Sequence, residues 1–329
     1  MIRIGTVGTG FIVDHMADAI SRVDGMEIAA VYSRTEESAK AFGEKHGVKH
    51  YYWDKDAFLS DETLDFIYVA SPNSLHFQWS LDALNAGRNV ICEKPFVSNL
   101  AETETLCDLA RSKGLYLFEA LTTSHLPNYQ IVREQLPKIG KLKLIQLNFS
   151  QYSSRYKAFI EGKNPNVFNP EFSGGALMDI NYYNFRFVLD MFGEPKDIKY
   201  FPNIAPNGID TSGVLVMTYE DFVVSAVGAK DSRSENFTQI QGDLGFIKVP
   251  QESSRCLEVI VTTADGQENY NQQTDGNALV YEMVDFARIY REQDRAKHDA
   301  LLEETRVAMK WLEKARVEAG IRFGEGGTL

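Results

Sequence analysis

Gly8-Thr9-Gly10-Phe11-Ile12-Val13 stands between a run rich in β-branched residues, Ile2-Arg3-Ile4-Gly5-Thr6-Val7, and a stretch from Phe11 to Val23 whose apolar side chains recur at helical spacing. A glycine loop at a strand–helix junction is placed to hold a diphosphate. Gly8 permits the tight turn, Gly10 lets the backbone approach the phosphates, and the helix N-terminus stabilises their charge. Val13 replaces the third glycine of this pattern, a position that serves packing. A plain βα turn is the alternative, and the strand–turn–helix context favours the dinucleotide. About 20 residues on, Tyr32-Ser33-Arg34 carries no carboxylate for a ribose 2′-hydroxyl. Arg34 can instead pair bidentately with a 2′-phosphate and Ser33 can donate to it, so the expected cofactor is NADP, with NAD the alternative if Arg34 is solvated.

Ligands of open α/β sheets bind beyond the carboxyl ends of the strands, so chemistry is expected in the segments just after them. Ser71-Pro72-Asn73-Ser74-Leu75-His76 follows the strand-like run Asp65 to Ala70, and Glu93-Lys94-Pro95 follows Asn89 to Cys92. Lys94, held between a strand and a rigid proline, can place its ammonium near a developing alkoxide and stabilise it. A solvated structural lysine is the alternative. His76 and His125 can change protonation near neutrality, but each is better read as a hydrogen-bonding partner of ligand or backbone.

The elements that must position these groups alternate. Strand-like runs at Ile2 to Val7, Glu27 to Tyr32, Asp65 to Ala70, Asn89 to Cys92 and Leu115 to Glu119 are separated by helical stretches at Phe11 to Val23, Glu36 to His46, Ser74 to Ala86 and Ala101 to Ser112. Continuously apolar strands between such helices predict a parallel sheet covered on both faces: an α/β, doubly wound Rossmann domain over 1–124. Beyond it, Leu142 to Tyr152, Val214 to Tyr219, Phe222 to Val227, Thr238 to Gly242 and Leu257 to Thr263 predict a second, mainly antiparallel open sheet in an α+β domain over 125–329. Ala176 to Phe192 reads as a helix, as do Asn277 to Arg291 and Leu301 to Ala319, which could pack back on the first domain.

Composition bounds the partners. At 329 residues the chain exceeds one ordinary core. A net charge of −12 leaves no electrostatic footprint for nucleic acid. Cys92, Cys107 and Cys256 are too scattered for a disulfide framework, and no His, Cys and carboxylate spacing suggests a metal. No signal-like N-terminus and no apolar stretch of membrane-spanning length occur, which predicts a cytoplasmic protein.

The glycine loop, Ser71-Pro72-Asn73, and Ala86-Gly87-Arg88-Asn89-Val90-Ile91-Cys92-Glu93-Lys94-Pro95 resemble, in order and spacing, the Gfo/Idh/MocA family named for glucose–fructose oxidoreductase and inositol dehydrogenase. The resemblance continues in Gly174-Gly175-Ala176-Leu177-Met178-Asp179-Ile180-Asn181-Tyr182-Tyr183 and covers nearly the whole chain. It implies hydride transfer on a CH–OH group of a sugar, polyol or related alcohol, and oligomer contacts, as homodimer or homotetramer, through the C-terminal sheet. Lys94 matches the catalytic lysine, Asp179 the substrate-facing carboxylate, and Tyr183 the position held by His or Tyr, the Tyr form being similar to dihydrodiol and xylose dehydrogenases. Tyr182 beside it leaves that match open by one residue. Two departures stand out: Asn181 where a glycine is usual, and Thr122-Thr123-Ser124-His125 where relatives often carry an aromatic residue and an arginine.

The resemblance implies that Tyr183 takes the substrate proton, with a neighbouring Lys94 ammonium lowering a phenol pKa of about 10, and Lys94 itself as runner-up. Two rivals use the same residues: a dinucleotide-binding sensor without turnover, and an enzyme that employs the nicotinamide transiently during hydrolysis or elimination.

Overall fold

β1 (Ile2–Val7) is buried at every position except Arg3, as expected of a strand covered on both faces. A computed structural model describes residues 1–324; residues 325–329, the end of the expected second domain, lie outside the described residues. β1 pairs in parallel with β2 (Met26–Tyr32) and β4 (Phe66–Val69). β3 (His50–Tyr52) adds beyond β2, and β5 (Asn89–Glu93) and β6 (Leu117–Ala120) add beyond β4, giving a six-stranded sheet in the order β3-β2-β1-β4-β5-β6. The crossovers are α1 (Phe11–Ser21), α2 (Glu36–His46), α3 (Lys55–Leu59), α4 (His76–Asn85) and α5 (Leu100–Lys113). This is the Rossmann order, and its reversal between β1 and β4 opens the crevice where doubly wound sheets bind ligands.

After β6 come a 3-10 turn, Thr122–His125, α6 (Pro127–Gln135), β7 (Leu142–Ser150) and α7 (Tyr156–Ile160). A π-helical turn, Leu177–Asn181, then runs directly into α8 (Tyr182–Phe192). Seven strands follow: β8 (Asp197–Ile204), β9 (Asp210–Thr218), β10 (Val223–Ala229), β11 (Phe237–Gly242), β12 (Gly245–Val249), β13 (Val259–Thr263) and β14 (Gly266–Tyr270). With β7 they make an eight-stranded sheet in the order β14-β13-β12-β11-β7-β10-β9-β8. β7 and β10 run parallel and the other neighbours antiparallel, so the sheet is mainly antiparallel, as expected.

The sequence pattern does not show β3, β8, β12 or β14, and three of these four are sheet edges. An edge strand need not alternate: β14 is Gly-Gln-Glu-Asn-Tyr, exposed along most of its length, and β8 contains Pro202, which an edge tolerates because one side of the strand pairs with nothing.

The chain ends in α9 (Leu279–Arg291) and α10 (Arg295–Glu318), the latter starting six residues before the expected Leu301. Compact packing divides the described residues into one unit of Met1–Leu121 with Asp275–Met309, and a second of Thr122–Thr274 with residues 310–324. In the first unit Met283, Phe286 and Ile289 of α9 join Ile4, Met16, Ile20, Phe66 and Phe118 in one apolar core, with Phe286 stacked on Phe118 at 4.4 Å. The early start of α10 has a cause that polar residues conceal. His298 is 1% exposed, and its Nε2 accepts the Leu117 amide of β6 at 3.0 Å while Nδ1 meets Asp299 at 2.9 Å. Among the described residues no helix is long and apolar enough to cross a membrane.

Accepting the Leu117 amide requires an unprotonated Nε2, and burial pushes the His298 pKa below 6.5. Between the depressed folded value and the unfolded one, the unfolded chain binds a proton that the folded chain does not. Stability is therefore expected to fall as pH drops below about 6.5. Urea unfolding midpoints across pH 5–8 check this: in His298→Gln, whose amide oxygen accepts the same bond without titrating, the acid-side loss should shrink, and an unchanged profile would refute the assignment. His76 is depressed in the same direction, so the difference between the two proteins, not the whole limb, reports His298.

Candidate functional site

In the first unit the glycine loop follows β1 without slack, because the Gly8 amide donates to Tyr32 O of β2 at 3.0 Å. Gly8 has φ +106°, and a Cβ there would stand 3.1 Å from Ala70 O. A side chain here would be strained by the backbone conformation and crowded against that carbonyl. Gly10 caps α1 with extended backbone and no side-chain cap, and a Cβ on it would meet nothing within 4 Å. The amides of the first turn, beginning at Phe11 and Ile12, are the donors that a helix N-terminus can offer an anion. These residues fit a dinucleotide diphosphate. Phe11 is exposed, whereas Val13 is fully buried in the core, which explains how a valine replaces the third glycine.

Ser33 is half-buried at the end of β2 with its amide on Tyr52 O at 3.0 Å, and Arg34 is exposed beside it. Thr35 caps α2, its hydroxyl accepting the Ser38 amide at 3.3 Å. Next to Thr9 lies a cleft of about 260 Å³ lined by Asp14, Ser38, Phe42 and Lys45. Ser38 and Lys45 had no signal in sequence, since one follows a cap and the other sits on a polar helix face. Lys45 and His46 both meet Asp14, at 2.8 and 2.7 Å, and hold its carboxyl below the usual range, the Lys45 hydrogen bond most of all.

His76 ties the two polar segments together. It is 1% exposed, with Nδ1 3.0 Å from Pro95 O and Nε2 2.9 Å from Ser71 O. Ser71-Pro72-Asn73 and Glu93-Lys94-Pro95 therefore share one clamp, with Asn73 opening the 3-10 turn that leads into His76. The Lys94–Pro95 peptide is cis. Glu93 is buried at the end of β5, accepts the Tyr68 hydroxyl, and has its pKa raised chiefly by burial. Glu93 thus points into the sheet, while Lys94 is half-buried and reaches its surface.

In the second unit, from Ala176 to Leu189 every residue is buried except Asp179 and Tyr183. The Tyr182 ring is fully buried and its hydroxyl accepts from Arg186, itself paired with Asp190 at 3.0 Å. Tyr182, Phe185 and Phe187 are core aromatics, whereas Tyr183 is half-buried with Phe149 6.1 Å from its ring. Asp179 falls in the π-helical turn, a form often found at functional sites. Its carboxylate pairs with Lys230, which sequence alone did not single out.

The glycine pair before this helix has a specific cause. Asp210, 1% exposed, accepts the Leu177 amide and the Tyr200 hydroxyl, both at 2.7 Å, and the Ala176 amide. Burial raises its pKa and these hydrogen bonds oppose the rise. A Cβ on Gly175, whose φ is +104°, would collide with that carboxylate, and one on Gly174 would stand 2.6 Å from Val167 O. Asn181 fits because Gly228 of β10 faces it: a Cβ at 228 would stand 2.5 Å from the Asn181 Cβ. Asn181 donates to Ala226 O at 3.1 Å and accepts from Asn184 at 3.0 Å. Thr122 and Thr123 are buried, and His125 is half-buried in the 3-10 turn they begin.

Residues 2–121 match the family described as an oxidoreductase family with NAD-binding Rossmann fold, and residues 130–248 match the GFO/IDH/MocA C-terminal domain. The chain is 34% identical to scyllo-inositol 2-dehydrogenase (NADP(+)) IolU of Bacillus subtilis and 37% identical to the oxidoreductase YgjR of Escherichia coli, in each case over 98% of both chains. Its fold is similar, at a TM-score of 0.82 and 21% identity over 96% of this chain and 97% of the other, to KijD10, a 3-ketoreductase from Actinomadura kijaniata solved with NADP and TDP-benzene.

Gly175→Ala is expected to lower stability by about 1–3 kcal/mol, because it combines a strained backbone with loss of the Asp210 cap. Asp210→Asn, which turns an acceptor oxygen into a donor against amides, should cost about 1–3 kcal/mol. Chemical denaturation of both variants checks this. A wild-type midpoint in Gly175→Ala would mean that carboxylate and main chain do not meet here.

Proposed function

Because this chain belongs to the GFO/IDH/MocA oxidoreductase family, we propose that it is an NADP-dependent dehydrogenase or reductase acting on a CH–OH group of a sugar, polyol or related alcohol. The first unit holds the dinucleotide through Gly8, Thr9, Gly10, Phe11 and Ile12, with Ser33 and Arg34 at the 2′-phosphate and the Ser71-Pro72-Asn73 and Glu93-Lys94 segments at the nicotinamide end. The second unit recognises the substrate. The observation that carries this reading is that Asp179 and Tyr183 alone stay open along the otherwise buried Ala176–Leu189 segment, at the two positions the family resemblance assigns to substrate chemistry.

The nicotinamide, when bound, accepts or gives the hydride. The protein's own residues handle the proton and the charge. Tyr183 takes the proton of the substrate hydroxyl in the oxidation direction, Lys94 stabilises the developing alkoxide, and Asp179 orients the substrate by accepting from a hydroxyl. The burial of Tyr182 and its bond from Arg186 support Tyr183 over its neighbour. His76 acts through the two loops it joins, its ring being turned away from solvent. The reading extends to a cytoplasmic enzyme, with which three free, buried cysteines agree, and to a homodimer or homotetramer formed through the eight-stranded sheet, where Phe201 and Val223 are exposed.

Two measurements test the proposal. Calorimetric titration should show NADPH binding at least about tenfold tighter than NADH, a margin that Arg34→Ala removes; tighter NADH binding keeps the class and refutes the cofactor preference. In steady-state assays over alcohols, Lys94→Ala and Tyr183→Phe should each lower kcat/KM by about 10²–10⁴-fold, while Asp179→Asn impairs substrate use with NADPH affinity nearly intact. Undiminished turnover in both Lys94→Ala and Tyr183→Phe would sink the assignment.

A further inference from the structure

A lysine side chain that is only 7% exposed must have its charge met by the protein. Lys230 follows β10 and is fixed at both ends of its peptide unit: its amide donates to Thr211 O and its carbonyl accepts the Ser153 amide, each at 2.8 Å. The next residue, Asp231, accepts the Thr211 and Ser212 hydroxyls at 2.7 and 2.8 Å, so the backbone that carries Lys230 has little freedom. The ammonium lies 5.8 Å from the Phe168 ring centroid and ends on Oδ2 of Asp179. Asp179 keeps 30% of its side chain open, whereas the lysine does not. The pair therefore presents an oriented carboxylate to a ligand, with a cation behind it.

We propose that Lys230 is a positioning residue for Asp179, and that the pair selects an uncharged polyol over a sugar acid or sugar phosphate. This rests on the reading of Asp179 as substrate-facing. The physical reason is charge balance: Asp179 already cancels the lysine, so no net positive charge remains at the pair to offset the desolvation of a substrate anion. A polyol hydroxyl donates to the carboxylate at no such cost. Lys230 acts behind Asp179 by fixing its rotamer.

The test is calorimetric titration of the NADPH-loaded protein with myo-inositol and xylose as uncharged probes, and with glucuronate and glucose 6-phosphate as anionic ones, alongside steady-state assays. Wild type should bind an uncharged probe and prefer it to both anions. Lys230→Met should weaken that binding and raise KM by about tenfold or more, with kcat changed less than about threefold and NADPH affinity unchanged. Lys230→Arg, which keeps the charge, should recover most of the loss, and this rescue separates positioning from a folding defect. Adding Lys230→Met to Asp179→Asn should add little, because without the carboxylate the lysine has nothing to position.

The proposal is overturned if wild type prefers an anionic probe and Lys230→Met abolishes that preference, if wild type binds no uncharged probe, if the two substitutions multiply, or if Lys230→Met binds as wild type does. Should the binding pattern hold while no probe is oxidised with either nicotinamide, the dehydrogenase reading fails and the positioning role stands.

Discussion

Burying the Asp210 carboxylate against the Ala176 and Leu177 amides is the constraint from which the second unit's site follows. A buried carboxylate with too few donors would cost several kcal/mol, and here the start of a helical segment supplies them together with the Tyr200 hydroxyl. The carboxylate occupies the space a side chain at 175 would need, so the chain enters the helix through glycines. The π-helical turn begins one residue after the first capped amide and carries Asp179, and α8 begins with Tyr182 buried and Tyr183 open. On the sheet side, Gly228 of β10 gives Asn181 its room, and Asn184 donates to Val227 O at 2.9 Å, which seats the helix on the strand.

The first unit solves a similar problem with an imidazole. Two loops leave neighbouring strands β4 and β5, and each offers a carbonyl to one nitrogen of His76. A neutral ring donates to one carbonyl at a time, and protonation would satisfy both, yet burial holds the pKa below its ordinary value. Around this clamp the residues divide by polarity: Glu93 turns inward to the Tyr68 hydroxyl and Glu119 to the Thr305 hydroxyl at 3.0 Å, while Lys94 stays at the surface. Buried carboxylates supplied with donors shape the loop.

The central strands were legible because burial on both faces leaves a continuous apolar run, as in Phe66-Ile67-Tyr68-Val69. Two polar edge strands were not: His50-Tyr51-Tyr52 and Gly266-Gln267-Glu268-Asn269-Tyr270 pair on one side only and carry no pattern that distinguishes them from loops, whereas the apolar edge β6 was read from Leu115 to Glu119. The first two turns of α10 were hidden for a related reason, since His298 reads as polar in sequence, while its burial rests on tertiary contacts with the Leu117 amide and the Tyr116 and Phe118 rings. The candidate site residues, from Gly8 to Tyr183, stand in short local motifs, which is why sequence could nominate them.

Local sequence by itself determined the alternation of strand and helix, the turn at Gly8, the nucleotide loop and the positions of Lys94, Asp179 and Tyr183, because each depends on residues within a few places along the chain. Tertiary structure decided what those residues face. Lys230 meets Asp179 across 51 positions, Asp210 caps Leu177 across 33, and Gly228 yields to Asn181, pairings that no local periodicity encodes. Hydrophobic patterning reports which side of an element is buried, and it is silent on which buried charge will find which partner, since that is settled only when separate strands and helices are brought into register.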